Sequence, residues 1–199
     1  MIAGMRTTTE PRRTDALSCL IGLVVTGAAA VVADRHPPRD RRLFALINDH
    51  GREPRIVRVL QQAGTPWVLP LTAAGAFLLE RRRLALAAAL ALPVEKALEV
   101  GIKKMRPVPR PLYVEPTVLR DDAPVEGESY PSGHAAIATT AAVLIAPHLP
   151  VAARPAVFAV AVGSGVVRVS QGAHHPVDVV GGIALGVAVG AGLHLSVGR

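Results

Sequence analysis

Three polar clusters stand in an otherwise apolar chain, and their side chains are the kinds that phosphoryl chemistry needs. Lys103 and Arg110 lie seven residues apart, with Pro111 after the arginine; Pro131, Ser132, Gly133 and His134 are consecutive; Arg168, His174 and Asp178 form the third group. A phosphate monoester or diphosphate concentrates negative charge on its oxygens, so a site for it needs cations and backbone donors before it needs anything reactive. Lys103, Arg110 and Arg168 can supply the cations. The bland alternative for basic residues at a helix end is interfacial snorkelling, and it is the better account of Lys104 and Arg106.

Ser132, Gly133 and His134 immediately precede an apolar run. Ser132 is therefore placed to cap a helix, Gly133 lets the backbone approach a ligand, and the helix start favours an anion. Capping alone leaves His134 without a role. His174 precedes Asp178 by four residues with Pro176 between them, a residue suited to the first turn of a helix. Near that helix start the Asp178 charge is favoured, and it can accept a hydrogen bond from an imidazole. Such a bond fixes the tautomer and leaves the other ring nitrogen free to attack phosphorus. His175, three residues from Asp178, is a competing partner. The plain alternative is a capping aspartate beside two incidental interfacial histidines.

Taken in order, KxxxxxxRP, PSGH and RxxxxxHxxxD resemble the signature of the type 2 phosphatidic acid phosphatase family, membrane relatives of the vanadium haloperoxidases. The match runs from Lys103 to Asp178. The resemblance implies that Lys103, Arg110, Ser132, Gly133 and Arg168 hold phosphate oxygens. It further implies that His134 protonates the leaving oxygen, that His174 is the nucleophile forming a phosphohistidine, and that Asp178 orients it. Val167 stands where the family usually has serine, so one hydroxyl contact is missing or comes from elsewhere, with Ser164 and Ser170 as candidates. No metal and no cofactor are expected, because the site is cationic and its one carboxylate is assigned to a histidine.

These clusters require a scaffold, and composition indicates its kind. Half of the 199 residues are hydrophobic and only 3% are aromatic, so Ala, Val and Leu carry the apolar mass, as in membrane helices. The net charge of +7 is scattered between apolar runs without aromatic interleaving, which argues against nucleic acid and for lipid headgroups and phosphates. Cys19, the only cysteine, excludes an intrachain disulfide and a cysteine-based metal site.

Along the chain, residues 1–15 read as a polar tail containing Arg6, Arg12 and Arg13. Residues 16–199 form a single membrane domain. Residues 16–33 are the first expected span. A cleaved signal peptide is the rival reading, but the run exceeds most signal cores. Residues 34–62 predict short amphipathic helices on the membrane surface. Spans are expected at 66–79, 84–100, 135–146, 155–167 and 179–197, making six in an all-α bundle. Residues 80–83 form a tight turn, and the proline-rich active-site loop lies between 103 and 134. Glycines of the last two spans, such as Gly165, Gly182 and Gly186, allow close packing. Glu99, four residues before Lys103, is spaced to orient it, and Lys96 can pair with Glu95 or Glu99. His36, His50, His148 and His194 show no ligand spacing and read as surface or packing residues.

The combined expectation is a multi-pass plasma (inner) membrane phosphatase acting on a lipid phosphate or diphosphate. A polyprenyl carrier is the leading substrate, with phosphatidic acid or a phosphatidylglycerol phosphate next. Basic residues are more numerous on the active-site side, which favours a cytoplasmic site; the family resemblance favours an extracytoplasmic one and is followed. A catalytically silent lipid-headgroup binder or scaffold of the same fold is the alternative.

Overall fold

The computed structural model describes residues 9–49, 55–120 and 123–199. His50 and Arg6 lie outside them. Among the described residues there are eight α-helices and no strand: α1 Thr9–Ala33, α2 Pro38–Asn48, α3 Arg55–Gln62, α4 Val68–Leu78, α5 Arg82–Met105, α6 Gly133–Ile145, α7 Arg154–Ser170 and α8 Pro176–Val197.

The innermost helix is α8, and small residues let its neighbours come close. A Cβ at Gly182 would lie 2.3 Å from the Ser132 carbonyl oxygen, and one at Gly186 would lie 2.5 Å from that of Ala136. From the other side Gly22 of α1 meets the α8 backbone, 2.6 Å from the Ala184 oxygen by the same construction. Only glycine permits such approaches, and without a hydrophobic drive between helices in lipid, backbone-to-backbone packing is what holds them. The consequence is functional. The first turns of α6 and α8 lie side by side, and the Ser132 N–H donates to the Asp178 carbonyl at 3.0 Å.

Alanine does more than fill space here. Ala87, Ala88 and Ala91 form a fully buried face of α5 against Ala136, Ile137 and Leu144 of α6 and Leu185 of α8. By contrast Leu17, Leu20, Ile21 and Val24 of α1 are exposed, as a lipid-facing surface requires.

Several expected boundaries move. Helix α1 reaches back to Thr9, so part of the expected polar tail is helical. Arg82 and Arg83 belong to α5 rather than to a turn, and the chain reverses just before them, with Glu80 in the left-handed region at φ 57. The expected second span is α4, only 11 residues long. The six-span expectation is not met in full: among the described residues three helices are long and apolar enough to cross a membrane, at Pro11–Ala33, Val151–Ser170 and Pro176–Val197. Helix α5 has the length, about 36 Å, but carries Glu95, Lys96 and Glu99 along its middle. Helices α2 and α3 are short and fall within the segment 34–62.

Candidate active site

The site gathers at one end of the bundle, where α5 and α7 finish and α6 and α8 begin. The first cluster comes from the end of α5 and the loop after it, the second from the start of α6, and the third from the end of α7, the turn after it and the start of α8.

His174 lies in the turn between α7 and α8. Its Nδ1 faces Asp178 Oδ2 at 3.7 Å and the Ser129 hydroxyl at 3.4 Å. That carboxylate oxygen also accepts from Ser129 Oγ at 2.6 Å and from the His175 N–H at 2.8 Å. Asp178 is thus fixed by a helix-start backbone donor and a serine, and the His174 ring nitrogen not facing Asp178 is Nε2. Burial outweighs the nearby carboxylate and holds the His174 imidazole down to about 4, so it is neutral at pH 7.

His175 takes a separate place. Its Nε2 meets Glu115 Oε1 at 2.8 Å, and its ring packs on Phe44 and His36, with centroids 5.1 and 5.4 Å away. The side chain therefore serves the fold, while its backbone meets Asp178 twice, the N–H donating to Oδ2 and the carbonyl accepting from the Asp178 N–H at 3.0 Å.

The cations approach from three directions. Arg110, 5% exposed, donates Nε to the Glu126 carbonyl at 2.8 Å and Nη1 to that of Ala173 at 2.9 Å, next to His174. Burial lowers its pKa from the ordinary value, with Asp178 and Glu128 opposing, and a guanidinium keeps its charge regardless. Arg168, at the last turn of α7, donates Nη1 to Gln171 Oε1 at 2.6 Å, and Gln171 Nε2 reaches Gln61 Oε1 of α3 at 2.9 Å. Lys103 Nζ donates to Glu99 Oε1 at 2.6 Å, as the four-residue spacing predicts, and Lys96 bonds the other oxygen. The same carboxylate lies against Gly133, where a Cβ would come within 2.7 Å of either oxygen. Lys103 is thereby brought to the start of α6. Arg106 does not simply snorkel; it pairs with Asp34 at the end of α1.

Ser132 occupies the cap position of α6, but its hydroxyl makes no capping bond, contrary to the sequence expectation. That hydroxyl is fully buried and has no hydrogen-bond partner in the structure. His134 follows in the first turn, within electrostatic reach of Arg168, His174, Lys96 and Glu99. Between the two serines considered for the missing hydroxyl, Ser170 bonds the Val167 carbonyl at 2.9 Å. Ser164 is buried without a partner, and Gly64 packs against both its Oγ and the His134 backbone.

Sequence reasoning missed Ser129, Glu115, Gln61 and Gln171. Gln171 was detectable as a polar residue one turn past Arg168. The other three lie in loops or on a distant helix, where spacing carries no signal. Among the described residues no group of three or more His, Cys, Asp or Glu is placed to hold a metal ion.

The bundle and its cationic, histidine-bearing end define a membrane protein built to receive a phosphate. The PAP2 superfamily model matches residues 82–199, which include all three clusters, and the chain belongs to that superfamily. At that level it is a membrane phosphatase. Among solved structures it is similar to the crystal structure of Aquifex aeolicus LpxE, with 26% identity, a TM-score of 0.63, and 75% of this chain and 90% of that one covered. It is also similar in fold to the first transmembrane PAP2 type phosphatidylglycerolphosphate phosphatase from Bacillus subtilis, with 23% identity, a TM-score of 0.60, and coverage of 90% and 93%. No curated relative matches the chain.

Proposed function

We propose that the protein hydrolyses a lipid phosphate or diphosphate without a metal, through a phosphohistidine on His174 Nε2. The observation that carries this reading is the His174 ring. It is neutral, its Nδ1 faces Asp178 and Ser129, and Arg110, Arg168 and His134 lie within electrostatic reach.

In the first half-reaction Nε2 attacks phosphorus and the bond from phosphorus to the lipid oxygen breaks. His134 gives its proton to that oxygen, so the lipid leaves as an alcohol or a monophosphate. In the second half, water attacks the phosphohistidine and passes a proton to His134. The products are inorganic phosphate and the starting imidazole. Lys103, Arg110 and Arg168 neutralise the equatorial oxygens, which carry the charge of the transition state. The backbone at Gly133 and the free Ser132 hydroxyl add donors, and Ser164 stands in for the serine absent at Val167.

A lipid substrate is supported by an apolar cavity of about 250 Å³ that begins one helical turn past His134, lined by Ala63, Val68, Ala138, Ala142, Val157 and Ala161. Small side chains leave room there for a slender tail, and a polyprenyl phosphate or diphosphate is the preferred substrate. Phosphatidylglycerol phosphate, after which the Bacillus subtilis phosphatase is named, and phosphatidic acid come next. The site faces the extracytoplasmic side of the plasma membrane.

Purified protein offered a panel of lipid phosphates tests the reaction directly. Release of phosphate from at least one lipid, lost in His174→Ala, is expected. Binding without turnover across the whole panel would instead favour a silent headgroup binder. For the orientation, Tyr113→Cys in a Cys19→Ser background should react with an impermeant thiol reagent in intact cells, since Tyr113 is exposed. Labelling only after lysis reverses the assignment.

A further inference from the structure

The end of the bundle remote from His174 holds a second polar cavity, of about 630 Å³, where α1 and α7 begin and α6 and α8 end. Its ionisable lining is Asp15, His148, Arg154, His194 and Arg199, and Phe158 contributes to an apolar wall. Asp15, 5% exposed, is clamped by Arg199, with Nη2 2.6 Å from Oδ1 and Nε 3.1 Å from Oδ2. That pair neutralises the one acidic side chain of the lining, so the remaining groups make the cavity electropositive.

Those groups have bonding capacity to spare. The structure gives Arg154, the first residue of α7, one hydrogen bond, from Nε to the Leu149 carbonyl at 3.3 Å. Arg81 Nη1 donates to His148 Nδ1 at 2.8 Å, and because a guanidinium can only donate, His148 must carry its proton on Nε2. His194 is 5% exposed, yet neither of its ring nitrogens has a hydrogen-bond partner. Asp15 Oδ1 is 3.7 Å from its Nδ1, beyond bonding distance. A buried imidazole with both nitrogens unmet calls for a ligand.

We propose that this cavity binds the phosphodiester group of an anionic phospholipid drawn from the leaflet opposite the catalytic cleft. Arg154, His148 and His194 are the donors for its oxygens, and the first part of an acyl chain lies against Phe158. Three helices long and apolar enough to span the membrane border the cavity, which places it at a bilayer boundary where such headgroups are concentrated. Its volume suits a headgroup rather than a whole lipid. The proposal is independent of the reaction assigned to His174.

Full-length protein in non-ionic detergent, titrated with short-chain phosphatidylglycerol or with inorganic phosphate, tests it by native mass spectrometry and by melting temperature. Saturable lipid binding is expected in the wild type and in His174→Ala. In Arg154→Gln and in His194→Phe it should be about tenfold weaker or more, the weight of a charge-assisted hydrogen bond. Unchanged binding in both variants overturns the proposal, and so does binding that disappears with His174→Ala. Saturation by inorganic phosphate at lower concentration than by lipid would make this a free-anion site and overturn the lipid assignment. On the unmodified chain, a phosphatidylglycerol bearing a diazirine near its headgroup should label peptides containing Phe158 and His194. Adducts confined to the exposed face of α1 would sink the idea without any variant having to fold.

Discussion

Ser129 Oγ donates to Asp178 Oδ2 at 2.6 Å while lying 3.4 Å from His174 Nδ1, so a serine that belongs to none of the three motifs sits at the junction of that aspartate and that histidine. It anchors the carboxylate from the loop side, opposite the backbone donor at His175. Removing it should loosen Asp178 without changing the reacting atoms. Ser129→Ala is expected to lower kcat about tenfold, near the weight of one hydrogen bond to a charged group, with KM little changed. A loss as deep as that of Asp178→Ala would mean the serine itself takes part in the chemistry.

His134 and His174 should fail in different ways. Without Nε2, His174→Ala cannot form a phosphoenzyme from any substrate. His134→Ala should lose roughly 100-fold or more on a lipid substrate. It should still form the phosphoenzyme when the leaving group needs no proton, as with p-nitrophenyl phosphate. Rapid quenching with labelled substrate reads both, and label trapped on His174→Ala would disprove the assignment.

His175 and Glu115 matter for stability. Because Glu115 is the partner of a buried imidazole, Glu115→Ala should destabilise by about 1–3 kcal/mol, and His175→Ala should also lower the melting temperature through its lost packing on Phe44. Both should keep most of their turnover per folded molecule. Trapped phosphate that vanishes with His175→Ala but persists with His174→Ala would move the nucleophile by one residue.

The pH dependence has a definite sign. His174 titrates near 4 in the folded chain, against an ordinary value of 6.5 that applies once unfolded. Between those values the unfolded chain binds a proton that the native state refuses. The stability associated with a neutral His174 is therefore complete above about 6.5 and declines as the pH falls toward 4. Denaturant midpoints of wild type and His174→Ala should converge across that interval. Catalysis should follow a bell. Burial, with Arg168 beside it, holds the His134 imidazole down to about 3 in the free protein. It can donate only when the negative charge of a bound phosphate raises it, so the basic limb of kcat should lie well above the value for the free protein.

Activity should survive EDTA, and vanadate should inhibit, since its five-coordinate form resembles the phosphoryl transition state. Loss with EDTA that magnesium restores would overturn the mechanism.

The three motifs were legible in residue order because phosphate binding needs particular side chains at particular spacings along single helices and turns. The pairing of Glu99 with Lys103 was legible for the same reason, being a contact within one helix turn. Helix existence followed from apolar runs, although the ends of α1 and α5 moved, since the ends of a span depend on what packs beside them as well as on hydropathy. What could not be read was anything that joins distant segments. Glu115 reaching His175, Gln61 reaching Gln171 and Ser129 inserted beside His174 each link elements far apart in sequence. Gln61 meets Gln171 where α3 packs on α7, and Ser129 reaches the start of α8 where backbone-to-backbone packing sets the first turns of α6 and α8 side by side. Local spacing specifies contacts within an element; which elements meet is a property of packed surfaces, and no period in the chain encodes it.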